Sequence, residues 1–337
     1  MDARAKRAAK PKASPVPTPA AAADTSAIAT ALASLAETQR QQGELITRLL
    51  SVTVPAAVAV PGLTAPVEQT PEVEWAPPAY ANESILVISD LHAPYEHPDA
   101  LAFLVALRDA YGFERAICTG DETDGHAISF HTSSPNLPSA GQETDMARTF
   151  MRRLEAEFPV LDIMHSNHGS LIYRRQQDGG LPDHAMQSYR GFLFGERRKD
   201  GSTHFPGDAG RRWRWHDDLE VTLSSGDRAL FAHGLSSNVK LAVQKTGTSV
   251  VQGHFHSMFD VVAMQGPKGS ARFGITGGCL IDPTSYAYAY GKNIPLRPVI
   301  GCSGILDGQP VAFRMPLRAD GRWTGRLPYG ILPGRAA

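Results

Sequence analysis

The chain has 337 residues, a formal net charge of −1, 42% hydrophobic and 20% charged residues. This is the balance of a soluble globular protein, so no global charge points to nucleic acid or membrane and any such signal has to be local. The cysteines, Cys118, Cys279 and Cys302, are odd in number, far apart and outside any CxxC, which excludes a disulfide framework and a thiolate zinc knuckle.

Residues 1–80 are rich in Ala, Pro, Thr and Val and are expected to stay disordered, because they offer little surface to offset the entropy of ordering. Within them Ile28, Leu32, Leu35, Gln39, Gln42, Ile46 and Leu49 recur at heptad steps, so the stretch 24–50 is a candidate short helix through which a homo-oligomer would form. A partly formed alanine-rich helix is the alternative. Prolines and Asp24 interrupt the place where a secretory leader needs an apolar core. With no apolar run of about eighteen residues and core-like thiols, the expected location is cytoplasmic, and the expected partners include no membrane.

From about residue 81 to 337 the text reads as one globular domain. Ile85-Leu86-Val87-Ile88 is a buried-strand run that ends at Ser89-Asp90. Pro98 suits the first turn of a helix with an apolar stripe at Leu101, Leu104, Leu107 and Tyr111. Ala116 to Thr119 is a second strand. Ala147, Phe150, Met151, Leu154 and Phe158 mark a second helix stopped by Pro159, and Val160 to Met164 is a third strand. Strand and helix in alternation predict a parallel sheet with crossover helices. After Trp213 short strands follow one another, with a helical piece near 237–245, the pattern of a second sheet.

Each of the first three strands runs into candidate ligands: Asp90-Leu91-His92, then Gly120-Asp121-Glu122-Thr123-Asp124, then His165-Ser166-Asn167-His168. Parallel sheets gather sites at the carboxyl ends of their strands, so these tips should converge. Two more blocks come later, Ala232-His233-Gly234 and Gly253-His254-Phe255-His256. In an extended segment His254 and His256 face the same side, which suits ligation.

The ordered series, from Ile85 to His256, resembles the calcineurin-like metallophosphoesterase superfamily, with its DxH, GDxxD, GNH(D/E), H and GHxH blocks. The segment GGCLIDPTSYAYAYGK at 277–292 looks like the closing part of bacteriophage and bacterial members, which would place the chain in a host cytoplasm. The resemblance implies an α/β fold of two facing mixed sheets flanked by helices, an α/β/β/α sandwich. It implies two divalent metal ions, with Asp90, His92 and His256 on one, Asn167, His233 and His254 on the other, and Asp121 between them. Carboxylate, amide and imidazole donors admit manganese first, with iron, nickel, zinc or magnesium as alternatives. A metal-bridging hydroxide would attack phosphorus, and His168 matches the histidine that contacts phosphate and protonates the leaving oxygen.

The chain departs from the pattern in places. Ser166 stands for the usual glycine and Gly169 for the acid that orients the neighbouring histidine, so the support of His168 would fall to Asp124 or another group. Gly125-His126 replaces the Arg-Gly pair of the superfamily's protein phosphatases. His126 and His131 are candidate substrate contacts, with an incidental loop role as the alternative.

Between the third and fourth blocks, residues 171–216 hold nine Lys and Arg against five Asp and Glu, interleaved with aromatics. Arg174, Arg175, Arg212 and Arg214 are candidate substrate contacts, since cations among aromatics follow a phosphate backbone while stacking bases. Tryptophans packed in the core are the competing reading. The expected activity is that of a phosphodiesterase acting on DNA, RNA or a nucleotide diester. A phosphomonoesterase and a non-catalytic, metal-bound scaffold are the alternatives.

Overall fold

The structure, a computed structural model, describes residues 84–130, 136–266, 271–285 and 296–328. The tail at 1–80, its heptad stretch and the oligomer expected of it lie outside these residues. So do His131 and the segment from Tyr286 to Lys292.

The first half alternates as expected. Strand β1 (Ser84–Ile88) is followed by helix α1 (Ala100–Tyr111), β2 (Arg115–Cys118), α2 (Ala140–Glu157) and β3 (Leu161–Met164). The strands pair in parallel, Ile88 opposite Cys118 and Cys118 opposite Ile163. Helix α1 buries Phe103, Leu104, Leu107 and Tyr111 along one stripe and stops at Gly112. Helix α2 begins a full two turns before its apolar stripe. Ser139 caps it, with Gln142 bonding back to the Ser139 N–H, a capping box legible as Ser-x-x-Gln.

After β3 come α3 (Leu171–Asp178), α4 (Tyr189–Phe194), a small hairpin of β4 (Glu196–Arg197) and β5 (Thr203–His204), and β6 (Trp213–His216). Strand β6 differs from expectation. It lies parallel beside β3, Leu161 opposite Trp213 and Met164 opposite His216, so it extends the first sheet. The stretch between β3 and β6 is thus a long crossover carrying two helices, and the second sheet begins only at β7 (Leu219–Thr222).

The remaining elements are β8 (Arg228–Ala232), α5 (Val239–Thr246), β9 (Ser249–Gln252), β10 (Phe259–Gln265), β11 (Ala271–Gly277), β12 (Gly301–Leu306) and β13 (Gln309–Arg314). The first sheet has the order β13-β12-β1-β2-β3-β6 and the second β10-β11-β9-β8-β7. Both mix parallel and antiparallel pairs.

The period of two along β1 explains the layers. Ile85 and Val87 pack with Ile117, Phe231, Val251 and Ile275 between the sheets, while Leu86 and Ile88 join Phe103, Leu104, Phe150 and Met151 under the helices. On the outer face of the second sheet, Val239 and Val243 of α5 cover Val250. The order of layers is helix, sheet, sheet, helix, the expected sandwich. Both faces of β1 are buried, which is why it reads as an unbroken apolar run.

Candidate metal centre

The carboxyl ends of β1, β2 and β3 meet those of β8 and β9 at one end of the two sheets. Asp90 and His92 follow β1, Asp121 follows β2, Asn167 and His168 follow β3, His233 follows β8, and His254 and His256 follow β9. His92, Asp121 and His256 each place a ligand atom within 4.8 Å of the others, and so do Asp121, His233 and His254. One carboxylate is therefore common to two groups. Asn167 joins the second, its Oδ1 lying 2.8 Å from His233 Nε2 and 3.0 Å from His254 Nδ1.

The backbone at this end is unusual. Among the described residues five non-glycine residues have positive φ, and four of them are Asp90 (31°), His92 (52°), Asp121 (49°) and His254 (74°). Left-handed backbone costs a residue with a Cβ roughly 1 kcal/mol or more, and such strain gathers at functional sites. The fifth, Asp307, sits in the tight Asp-Gly turn between β12 and β13, where that conformation is ordinary.

Fixed acceptors set the imidazoles. His92 Nδ1 donates to Asp124 Oδ1 at 2.7 Å and His233 Nδ1 to the Thr119 carbonyl at 2.8 Å, which turns each Nε2 toward Asp121. Asp90 anchors the final block: its Oδ2 accepts the His254 N–H at 2.7 Å. Gly253 is required there, because a Cβ would stand 2.4 Å from Asp90 Oδ1.

Charges follow burial. Asp90 is fully buried, and burial above all pushes its carboxyl up to about 7. Burial would lower His92, but the bond to Asp124 and the charges of Asp121, Asp124 and Asp90 lift it to about 9. His233 is likewise lifted to about 9 against its burial, chiefly by Asp121. Asp121 resists its own burial and is held well below the carboxylate range, by the His233 bond first. His256 and His254 are pushed down, by burial first and then by neighbouring imidazoles.

Three observations fit a divalent cation. Asp90 Oδ1 is buried without a hydrogen-bond partner, a costly state for a carboxylate. His92 Nε2 stands 3.0 Å from His256 Nε2, and His233 Nε2 stands 3.1 Å from His254 Nδ1, so ring nitrogens crowd toward shared points. The donors are oxygen and imidazole, the set that suits first-row divalent metals, and the cysteines are buried and free outside these groups. A third group, His92, Asp124 and His168, also falls within 4.8 Å, but its Nδ1 atoms are already spent on Asp124.

No family model matches this chain, and no curated protein does. Solved structures do. Vacuolar protein sorting 29 of Cryptosporidium parvum aligns at 14% identity over 71% of this chain and 93% of its own, with a TM-score of 0.35. Yfce, a phosphoesterase of E. coli, aligns at 14% identity over 72% and 96%, with a TM-score of 0.34. The NAD nucleotidase NadN of Haemophilus influenzae aligns at 11% identity over 72% and 53%, with a TM-score of 0.30.

The remaining candidates divide. His168 lies beside the cluster, its ring 4.6 Å from that of His92. Its N–H donates to Asp121 Oδ1 at 3.2 Å and its Nδ1 to the Asp124 carbonyl. The orienting group is thus main chain, which explains how Gly169 is compatible with an ordered imidazole. Asp124 stands behind His92. His126 is buried, 3.9 Å from Asp124 Oδ2, and its N–H is held by Glu143 at 2.7 Å.

Of the four arginines, Arg174 reaches the cluster through the main chain of Asn167, and Arg175 and Arg214 are held elsewhere. Arg175 donates to the carbonyls of Ile128 and Ser129, both at 2.6 Å, and lies over the Phe130 ring. Arg174 donates to the Asn167 carbonyl at 2.8 Å. Arg214 pairs with buried Asp162, which also holds Arg115 and His216. Arg212 is exposed at the start of β6. Trp213 is buried with its Nε1–H on the Phe158 carbonyl, and Trp215 donates to Glu122.

Two contributors escaped the sequence reading. Glu143, seven positions ahead of Phe150 on α2, spans the His126 and Ala127 N–H groups and fixes the turn after Asp124. Tyr189, whose OH lies 2.7 Å from Thr123 Oγ1, ties the insertion to the β2 tip. Neither carries a local signal, since both act across long sequence separations.

Proposed function

We propose that this protein is a metal-dependent phosphoester hydrolase with two divalent ions, manganese foremost, and that it prefers diesters. The observation that carries the reading is Asp121, one carboxylate common to two histidine groups, beside the unpartnered buried Asp90 Oδ1. Asp90, His92, Asp121 and His256 would hold one ion; Asp121, Asn167, His233 and His254 would hold the other. When bound, such ions supply Lewis acidity toward phosphoryl oxygens and lower the pKa of water.

The chain's own residues do the rest. His168 keeps Nδ1 on the Asp124 carbonyl, so Nε2 is the atom that meets phosphate and delivers a proton to the departing oxygen. Asp124 and the Thr119 carbonyl hold His92 and His233 in the tautomers that keep Nε2 for ligation. The preference for diesters rests on charge. After Asp124 comes Gly125, with φ of 66°, so that position carries no arginine or lysine to meet the second charge of a monoester.

The basic insertion supports a nucleic-acid substrate less than its composition suggests, because Arg174, Arg175 and Arg214 are engaged by carbonyls or Asp162. The test is turnover by metal-stripped protein after return of Mn2+, Ni2+, Zn2+ or Mg2+. Bis-p-nitrophenyl phosphate is expected to turn over faster than p-nitrophenyl phosphate, and His168→Ala to slow it by roughly a hundredfold. Faster monoester turnover would overturn the diester preference. Bound metal with no turnover of either ester would favour the scaffold.

A further inference from the structure

Beside His168, between α2, α3 and α4, lies a cleft of about 310 Å³. Its floor includes Ala93 and Thr123, each next to or two residues from a candidate metal ligand. Leu171, Ile172, Tyr189 and Phe192 form apolar wall, the two aromatic rings stacked with 17° between their planes. No lysine or arginine lines it.

Apart from His168 and the exposed carboxylate of Asp145, the polar side chains at its surface have partners. Thr123 Oγ1 and the Tyr189 hydroxyl bond each other at 2.7 Å. Glu143 accepts the His126 and Ala127 N–H groups at 2.7 and 2.8 Å. Thr144 Oγ1 donates to the Ala140 carbonyl at 2.8 Å. Beyond His168, a phosphate or a polynucleotide backbone would find no arginine or lysine here and would face the carboxylates of Glu143 and Asp145. An uncharged apolar group would find contact on several sides.

Size narrows the choice. A dry apolar cavity of about 150 Å³ takes benzene, so this cleft has space for about two rings. His168 belongs to both places: it lines the cleft, and its ring stands 4.6 Å from that of His92. One ester can therefore have its phosphorus at the metal cluster, its departing oxygen at His168 and its organic part in the cleft.

We propose that this cleft is the substrate-selecting subsite, and that it receives a compact, uncharged aryl or hydrocarbon group of a small phosphoester. The proposal rests on the phosphoesterase reading above and replaces a nucleic-acid polymer with a small hydrophobic ester. Its small lining residues, Gly141 among them, keep the space open; a Cβ at Gly141 would meet nothing within 4 Å.

The test measures binding and turnover separately. Methyl-, phenyl- and 1-naphthylphosphonate are titrated into the full-length, metal-reconstituted protein by calorimetry. Affinity is expected to rise with the organic group, at least about tenfold from methyl to naphthyl, with the negative heat-capacity change of apolar burial. Gly141→Leu, a substitution that raises helix propensity, is expected to cut that preference at least about fivefold. Thr144→Leu serves as the second filling variant and is expected to act likewise.

Affinities within about twofold of one another in the wild type would overturn the proposal. So would a preference unmoved by either folded variant, or single-stranded DNA cut faster than an aryl diester. Failure of the parent reading is distinct: graded phosphonate binding without any metal-dependent turnover would keep the cleft as a binding site and remove the hydrolase.

Discussion

The two histidine groups of the candidate metal centre share Asp121 but differ in their relation to the core. Asp90 and His92 are fully buried and His256 is half-buried, whereas on the other side His233 is buried and Asn167 and His254 are exposed. Each half draws on both sheets: Asp90 and His92 from the first and His256 from the second, Asn167 from the first and His233 and His254 from the second. The half around Asp90 and His92 is thus set into the core, and the half around Asn167 and His254 lies open to solvent. A buried carboxylate or imidazole that loses its partner costs the fold, while an exposed one costs only what it binds.

Four variants sharpen or break this contrast. The largest effect belongs to the shared residue. Asp121→Ala is expected to lower kcat/KM on a diester by roughly a thousandfold and to reduce metal uptake, read by elemental analysis of the reconstituted protein. Full uptake in that variant would mean that the two halves bind independently.

His256→Ala and His254→Ala come next and should part company. Both lower activity by roughly a hundredfold or more. The inner variant removes a ring packed edge-on against buried His92, and its metal-free form is expected to unfold at about 1–3 kcal/mol lower stability. The outer variant should stay within about 0.5 kcal/mol of the parent. Equal losses in denaturant titrations would erase the distinction.

The smallest effect is that of Asp124→Asn. It weakens the hold on His92 and is expected to lower metal affinity by roughly 10–100-fold, yet it keeps the backbone carbonyl that orients His168. The dependence of rate on leaving-group acidity should therefore match the parent. A changed dependence would mean that the Asp124 side chain, 3.5 Å from His168 Nδ1, governs proton delivery as well.

The convergence of the candidate ligands was legible because each sits at the end of an apolar run, and a run plus its terminal residues is a local signal. Asp90 after Ile85 to Ile88 and His254 after Val250 and Val251 both follow that rule. The insertion was not legible, since the fate of an arginine depends on partners far away. Arg214 reads as a free cation beside two tryptophans until Asp162, on the neighbouring strand, is seen to hold it. The sheet that β6 joins is hidden for the same reason: four residues, Trp213 to His216, carry no mark of whether their neighbour is β3 or β7. Helix α2 is the intermediate case. Its Ser139-x-x-Gln142 cap was present in the text and outweighed by the louder apolar stripe that follows it.

The left-handed backbone at Asp90, His92, Asp121 and His254 carries a consequence for how this lineage can change. Glycine adopts that conformation without strain, so at each of these positions the substitution that relaxes the chain is also one that deletes a donor. If the cluster is catalytic as proposed, descendants released from that selection would find a downhill path toward a steadier, inert fold. Retention of all four side chains in sequences that diverge elsewhere would then mark continued use of the cluster, and glycine at any of them would be an early sign of its abandonment.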